Sequence, residues 1–83
     1  MNVFYSRTSL KHLSKLEKKI RTHIVSAINK LPETGDIKKL RGASIEDLYR
    51  LRVGRIRVFY IWRTPDIRIL DVDTRGDIYS RSR

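Results

Sequence analysis

Residues 48–60 read LYRLRVGRIRVFY, and this stretch decides the fold. Its centre, Gly54-Arg55, fits a two-residue type II′ turn, because that turn prefers glycine at its first central position. The turn predicts that Val53 pairs with Ile56 and that two strands run back from them as a hairpin. Side chains alternate across a sheet, so the hairpin has two different faces. One face carries Leu51, Val53, Ile56 and Val58, and the other carries Arg50, Arg52 and Arg57.

The arginine-bearing face is unusual, because the predicted register sets Arg52 opposite Arg57 and Arg50 opposite Phe59. Like charges directly opposite each other destabilise a sheet. Three converging guanidinium groups therefore indicate a site for an oxyanion, and a phosphate suits their planar arrangement of donors. The alternative is a solvated face on which the long side chains spread apart. The residues alone leave both interpretations open.

The chain before the hairpin is predicted to contain a strand and a helical hairpin. Asn2–Tyr5 has the alternation of a short strand. Over residues 9–31, apolar residues recur at three- and four-residue steps, which is typical of a helix with one buried face. The spacing is irregular at residues 15–18 and favours a break there, and Pro32 ends the helical segment. The buried stripe is Leu10, Leu13, Leu16, Ile20, Ile24, Ala27, Ile28 and Leu31.

The rest of the sequence completes an α+β domain. Residues 33–36 are predicted to form a turn and residues 37–46 an irregular basic loop. Strands should follow at residues 48–53, 56–62 and 67–72, because these segments are rich in β-branched and aromatic residues and are separated by turn residues. An N-terminal strand, a helical hairpin and a three-stranded antiparallel meander imply one domain over residues 1–83, with the helices on one face of the sheet. The other face is then open to a partner.

Charge is the strongest global signal. Nineteen Lys and Arg against nine Asp and Glu give a formal net charge of +10. Such an excess of positive charge attracts polyanions, and the candidate partners are nucleic acid, an anionic membrane and an acidic protein. The absence of cysteine excludes disulfides, thiolate metal sites and a cysteine nucleophile. The sequence shows neither a membrane-spanning stretch nor a secretory signal, so we expect a cytoplasmic protein without a membrane partner.

Four titratable residues could suggest a metal site or a general base. His12 and His23 fall on the predicted helices without a second ligand at helical spacing, so surface or boundary positions are expected for both. Asp71 and Asp73 alternate on one strand and could bind Mg²⁺, but neighbouring arginines would pair with them more easily. We therefore expect no metal and no other cofactor.

The hairpin and the segment after it resemble the RelE/ParE toxins of type II toxin–antitoxin systems. The resemblance lies in the pattern LYRLRVG-x-x-RVFY, the apolar strand that follows, and an R-x-x-x-Y ending at Arg75 and Tyr79. The KKLRG loop and the N-terminal helical pair also fit, so the resemblance covers nearly the whole chain. It implies the fold of the RelE-like branch, which is a strand, a helical hairpin and a curved antiparallel sheet.

The resemblance also implies an activity. RelE-type toxins cut mRNA in the ribosomal A site without a metal: the ribose 2′-oxygen attacks the adjacent phosphorus and leaves a 2′,3′-cyclic phosphate and a 5′-hydroxyl. By position, Arg57 matches the arginine that stabilises the scissile phosphate. Arg75 matches a late arginine that assists the leaving group, and Tyr79 matches a tyrosine that orients the substrate. Arg50 and Arg52 match basic residues that hold RNA phosphates.

Four further basic residues complete the predicted RNA-binding set: Arg55 at the hairpin turn, and Lys38, Lys39 and Arg41 in the basic loop. The chain departs from the family pattern at the general base. Many relatives carry histidine or glutamate near the late arginine, where this chain has Thr74. Arginine does not readily release its proton, so the late motif contains no evident base for the 2′-hydroxyl.

A toxin of this type implies an acidic antitoxin protein, the ribosome and mRNA as partners, and is compatible with a toxin–antitoxin heterotetramer. An acidic amphipathic segment would neutralise the positive charge by complementarity. Two alternative functions stay open. One is a ParE-like inhibitor of DNA gyrase, and the other is a non-catalytic RNA-binding module that uses the same arginines for affinity alone.

Overall fold

The computed structural model describes residues 1–74, which form two helices and five strands. In chain order these are β1 (Asn2–Tyr5), α1 (Arg7–Ser14), α2 (Lys18–Asn29), β2 (Asp36–Lys39), β3 (Leu48–Val53), β4 (Ile56–Arg63) and β5 (Asp66–Asp73). The strands form one sheet in the order β1-β5-β4-β3-β2. β1 is parallel to β5, and all other neighbouring strands are antiparallel. The predicted α+β architecture is confirmed, and β1 and β2 flank the predicted three-stranded meander.

The predicted break in the helical segment is confirmed. α1 begins after Ser6, whose Oγ accepts a hydrogen bond from the backbone nitrogen of Ser9 at 3.0 Å, as an N-cap side chain does. α1 ends at Ser14 and α2 begins at Lys18, so the chain leaves the helical conformation between them. Neither helix in residues 1–74 is long and apolar enough to cross a membrane.

The core lies between the two helices and one face of the sheet. The prediction that Leu10 belongs to the buried stripe is wrong, because this side chain is 53% exposed. α1 has only eight residues and buries Ser9 and Leu13, while Leu10 lies about 100° around the helix from Ser9. The buried core consists of Leu13, Ile24, Ile28 and Leu31 from the helical segment and Leu51, Ile56, Val58, Tyr60, Ile67, Ile69 and Val72 from the sheet.

Asp36–Lys39 forms an edge strand, which corrects the prediction of an irregular loop over residues 37–46. Ile37 lies opposite Leu51 and packs against the core. A four-residue strand with one apolar residue shows too little alternation to be recognised, whereas pairing with β3 supplies its backbone hydrogen bonds. Gly35 makes this approach possible, since an added Cβ would lie 2.7 Å from Leu51 Cδ1.

The β3–β4 hairpin has the predicted register. Val53 pairs with Ile56 and Arg52 pairs with Arg57. Gly54 has a φ of 61°, as the first central residue of a type II′ turn requires. Because the strands remain in register along their length, the apolar and the arginine-bearing faces separate as the alternation predicts.

Candidate nucleic-acid interface

Three hairpin arginines lie on the sheet face opposite the helices, and we call Arg50, Arg52 and Arg57 the arginine face. Leu51 and Val58 alternate with them and are buried in the core, which fixes the sidedness. The side chains of Arg52 and Arg57 are 54% and 46% exposed, whereas that of Arg50 is only 14% exposed. The predicted grouping is therefore present, and Arg52 and Arg57 are its accessible members.

Two carboxylates hold the arginine face in place. Asp36 Oδ1 accepts a hydrogen bond from Arg50 Nη2 at 3.3 Å, and Asp36 Oδ2 lies 3.8 Å from Arg52 Nε. Asp73 accepts a hydrogen bond from Arg57 Nη2. These carboxylates offset the repulsion between Arg52 and Arg57, which are directly opposite each other. Each of the three arginines thus has a carboxylate partner.

The sequence analysis identified only part of this arrangement. The expectation that arginines pair with the aspartates of β5 is confirmed for Asp73 and Arg57. Asp36 was missed, because residues 33–36 are predicted as a turn. The feature of the sequence that could have identified Asp36 is its two-residue spacing from Lys38. Once β2 is recognised as a strand, this spacing places both side chains on the same sheet face as the three arginines.

The other predicted RNA-binding residues are divided between different parts of the fold. Lys38 lies opposite Arg50 and belongs to the arginine face. Lys39 points to the opposite side of the sheet, because successive strand residues alternate. Arg55 lies at the hairpin turn and lines a cleft against α2. Arg41 lies in the loop after β2. Only Lys38 is thus brought together with the three hairpin arginines.

The predicted catalytic set is placed in part. The guanidinium of Arg57 lies 5.8 Å from the ring centre of Phe59, so it packs on an aromatic ring as well as pairing with a carboxylate. Arg75 and Tyr79 lie outside the described residues. β5 ends at Asp73, directly opposite Arg57, so the chain leaves the sheet beside the arginine face.

His12 has a partner that the sequence analysis did not identify. Its Nδ1 lies 2.7 Å from Asp71 Oδ1, and both side chains are partly exposed. Asp71 and Asp73 therefore have different partners, His12 and Arg57. Residues 1–74 contain no group of three His, Asp or Glu side chains that could hold a metal ion. His23 is exposed on α2, as predicted.

The tyrosines on the helix side of the sheet are structural. The ring of Tyr60 is fully buried and stacks on Tyr49 at a centroid distance of 5.6 Å. Burial, and to a lesser degree the neighbouring Tyr49, raises the pKa of Tyr60 to about 12. Burial also raises the pKa of Tyr5. Both phenols remain protonated at neutral pH and lie away from the arginine face.

A cleft of about 710 Å³ lies on the helix side of the hairpin, between α2 and the turn. Ile20, Val53 and Ile56 give it an apolar lining, and Lys19 and Arg55 add positive charge. Apolar lining combined with basic side chains suits an acidic amphipathic segment. This cleft and the arginine face are separate surfaces, because they lie on opposite sides of the sheet.

Comparison with known structures gives the same fold. A chain in the crystal structure of the RelB–RelE antitoxin–toxin complex from Methanococcus jannaschii is 27% identical, with a TM-score of 0.70, and the match covers 94% of this chain and 96% of that chain. A chain in the archaeal RelE–RelB complex from Pyrococcus horikoshii OT3 is 31% identical, with a TM-score of 0.71 and coverages of 90% and 94%. A chain of the RelBE2 complex from Mycobacterium tuberculosis shares the fold at 24% identity, with a TM-score of 0.71 and coverages of 87% and 94%.

Comparison by sequence assigns the family. Residues 3–79 match the family described as the ParE toxin of the type II toxin–antitoxin system parDE. The sequence matches no curated protein. The family match covers nearly the whole chain, and it agrees with the structural similarity to the RelE–RelB complexes. The chain therefore belongs to the ParE toxin family of type II toxin–antitoxin systems, within the RelE/ParE superfamily.

Proposed function

We propose that this toxin is a ribosome-dependent mRNA endonuclease that works without a metal ion. The observation that carries the proposal is the pair Arg52 and Arg57, which lie opposite each other on the sheet face that neither α1 nor α2 covers. Each of them is held by a carboxylate and is about half exposed. Two adjacent, oriented guanidinium groups can donate to neighbouring oxygens of a phosphodiester.

In the proposed reaction, the ribose 2′-oxygen attacks the adjacent phosphorus and the bond to the 5′-oxygen breaks. The products are a 2′,3′-cyclic phosphate and a 5′-hydroxyl. Negative charge develops on the non-bridging oxygens of the pentacoordinate phosphate, and Arg57 donates to these oxygens. Arg52 holds the neighbouring phosphate. We assign Arg75 to stabilising the negative charge on the leaving 5′-oxygen, which takes up a proton from water to give the 5′-hydroxyl, and Tyr79 to positioning of the nucleotide that is attacked.

The proton of the 2′-hydroxyl needs a separate acceptor. Arginine stays protonated at physiological pH, so neither Arg52 nor Arg57 can accept it. His12 is not part of the hairpin that carries Arg52 and Arg57: it lies on α1, and its Nδ1 is bonded to Asp71 on β5. We assign proton acceptance to the ribosome–mRNA complex, which gives a chemical reason for dependence on the ribosome.

The proposed partner is an acidic antitoxin protein. The chain carries a formal charge of +10, so association with an acidic protein is favoured by electrostatics. Relatives from two archaea were crystallised in RelB–RelE antitoxin–toxin complexes. We propose that the antitoxin neutralises the arginine face and that the toxin acts in the cytoplasm, where ribosomes and mRNA are available.

The second candidate function is inhibition of DNA gyrase. The observation that favours it is the family match, because the family is described as the ParE toxin. A gyrase inhibitor needs no phosphate-binding cluster, so the arginine face weighs against it. Under this alternative, replacement of Arg57 would leave toxicity unchanged.

The test of the proposed function is cleavage of a defined mRNA with and without 70S ribosomes that hold it in the A site. The proposal expects cuts only when ribosomes are present, with a cyclic phosphate at the new 3′ end. If the toxin cuts no mRNA under either condition but abolishes supercoiling by DNA gyrase, the result would support gyrase inhibition instead. RNA binding without cuts and without any effect on gyrase would leave a non-catalytic RNA-binding module.

A further inference from the structure

A second arginine–phenylalanine pair lies on the same sheet face as the arginine face. Phe4 alternates with Val3 and Tyr5, which pack against the core, so its ring points to the opposite side. The ring is 47% exposed, although phenylalanine is usually buried. The guanidinium of Arg68 lies 5.1 Å from the ring centre of Phe4. We call these two residues the Phe4–Arg68 platform.

The platform is continuous with the arginine face through β4. Phe4 lies opposite Arg68, and Arg68 lies opposite Ile61. Ile61 follows Arg57 by four residues, so it lies on the same face, about 13 Å further along the strand. This separation corresponds to roughly four stacked nucleotides. Phe59, between them on β4, is partly buried beneath Arg57.

The chemistry of the platform suits an unpaired nucleobase. Among residues 1–74, Arg68 makes no salt bridge, whereas Arg57 is paired with Asp73. A cleft of about 220 Å³ adjoins Arg68, and it is also lined by Ile61, Arg63 and Asp66. The carboxylate in this cleft disfavours a phosphate there, whereas the aromatic ring and the planar guanidinium offer surfaces on which bases stack.

We propose that the Phe4–Arg68 platform is a second RNA subsite, on which a base of single-stranded RNA stacks while the strand runs along β4 from the arginine face. The inference rests on the proposed function for its ligand class, but it does not require cleavage. Single-stranded RNA fits better than an acidic protein segment, because the platform places an exposed aromatic ring beside a guanidinium that makes no salt bridge among residues 1–74. Base stacking on aromatic rings is also largely independent of sequence, as a general mRNA ligand requires.

The test measures RNA binding separately from cleavage. The probes are a fluorescent trimer and a fluorescent nonamer of single-stranded RNA, both 2′-O-methylated so that no 2′-hydroxyl can attack. The trimer is too short to span from Arg57 to the platform, whereas the nonamer can reach both. The variants are Phe4→Ala, Phe4→Trp, Arg68→Ala and the control Leu10→Ala. Leu10 is an equally exposed apolar residue on α1, with 53% exposure.

The expected result is length-specific. Phe4→Ala should weaken nonamer binding on the order of tenfold and leave trimer binding unchanged, while Phe4→Trp should retain nonamer affinity. Arg68→Ala should weaken nonamer binding with little change in its salt dependence, because Arg68 stacks on a base and does not neutralise a phosphate. Leu10→Ala should behave like wild type.

Three outcomes would overturn the proposal: nonamer binding by Phe4→Ala at wild-type affinity, equal losses for trimer and nonamer, and no nonamer binding by the wild type. Unchanged RNA affinity combined with a shift in the elution volume of the free toxin would assign Phe4 to a contact between two copies instead. Failure of the proposed function looks different. In that case the wild type binds the nonamer and the Phe4→Ala variant binds it more weakly, but the wild type never cuts mRNA on ribosomes.

Discussion

Arg57 and Asp73 lie directly opposite each other on β4 and β5, and their side chains form an ion pair. The carboxylate is only 5% exposed, whereas the guanidinium is 46% exposed. The buried carboxylate therefore orients Arg57 while leaving part of its donor set available to a ligand. A donor fixed in advance costs little reorganisation when charge develops on a bound phosphate.

Asp36→Asn should increase affinity for single-stranded RNA. The carboxylate of Asp36 contacts both Arg50 and Arg52, so its neutralisation removes a competitor for the phosphates. The pair is largely exposed on the aspartate side, so the free energy of unfolding should fall by about 1 kcal/mol or less. Binding titrations at several salt concentrations, together with urea unfolding, measure both effects. Weaker RNA binding by this variant would contradict the prediction and show that Asp36 orients Arg50 and Arg52 more than it competes with phosphates for them.

Gly35→Ala should destabilise the fold more than Gly42→Ala. An added Cβ at Gly35 meets Leu51 Cδ1 at 2.7 Å, and the φ of 130° is unfavourable for alanine. Gly42 also has a positive φ, of 78°, but an added Cβ there meets no atom within 4 Å. Backbone strain costs about 1–3 kcal/mol and is larger at a φ of 130° than at 78°, so the difference between the two variants combines the additional strain with the steric clash. Urea unfolding of both proteins measures it, and equal losses would rule out tight packing of β2 on the core.

The His12–Asp71 contact should couple α1 to β5. A double-mutant cycle with His12→Ala and Asp71→Asn should give an interaction energy of about 0.5–1 kcal/mol, since both side chains are partly exposed. The double variant should retain ribosome-dependent cleavage, because the proposed reaction assigns no step to His12 or Asp71. Additive losses of stability would show that the contact does not form in solution.

Tyr60→Phe should alter stability only at alkaline pH. The phenol of Tyr60 has no hydrogen-bond partner among residues 1–74, so its removal should be near neutral or slightly stabilising at pH 7. Its pKa is about 12 in the folded state, against about 10 when unfolded. Between these values the unfolded chain has lost the proton that the folded chain keeps, so stability falls as the pH rises.

Urea unfolding at about pH 9 and about pH 11 checks this prediction. The wild type should lose about 1 kcal/mol more than Tyr60→Phe between the two conditions. Comparison of the two proteins cancels the contribution of the other tyrosines. Equal losses would mean that Tyr60 is accessible to solvent in the folded state.

The hairpin was predictable from the sequence because the residues that determine it are neighbours along the chain. Gly54 sets the turn, and strand alternation then assigns every side chain of β3 and β4 to a face. The position of Arg57 opposite Arg52 follows from that register alone. The helical break was also predictable, because the irregular apolar spacing at residues 15–18 is a local signal.

Contacts between distant segments were not predictable in the same way. His12 and Asp71 are separated by 59 positions, and no pattern in the chain links them. Asp36 reaches the arginine face only because β2 pairs with β3, and a four-residue strand leaves little signal. Leu10 was assigned to the core because it precedes Leu13 by three residues, whereas α1 turns Ser9 and Leu13 inward.

The most direct test of the proposed function is the single-turnover rate of mRNA cleavage on programmed 70S ribosomes by Arg57→Ala, with Arg57→Lys and Arg55→Ala beside it. Arg57→Lys keeps a positive charge opposite Asp73 but loses the planar guanidinium with its paired donors. Its cleavage rate therefore measures how much the guanidinium geometry contributes, beyond charge, in a protein that keeps the ion pair. The sequence analysis assigned Arg55 to the RNA-binding set, but the structure places it at the hairpin turn, in the cleft against α2 and away from the arginine face, which makes it the matched control. The account predicts a loss of about 100-fold or more for Arg57→Ala, a smaller loss for Arg57→Lys and a near wild-type rate for Arg55→Ala. Wild-type cleavage by a folded Arg57→Ala protein would contradict it.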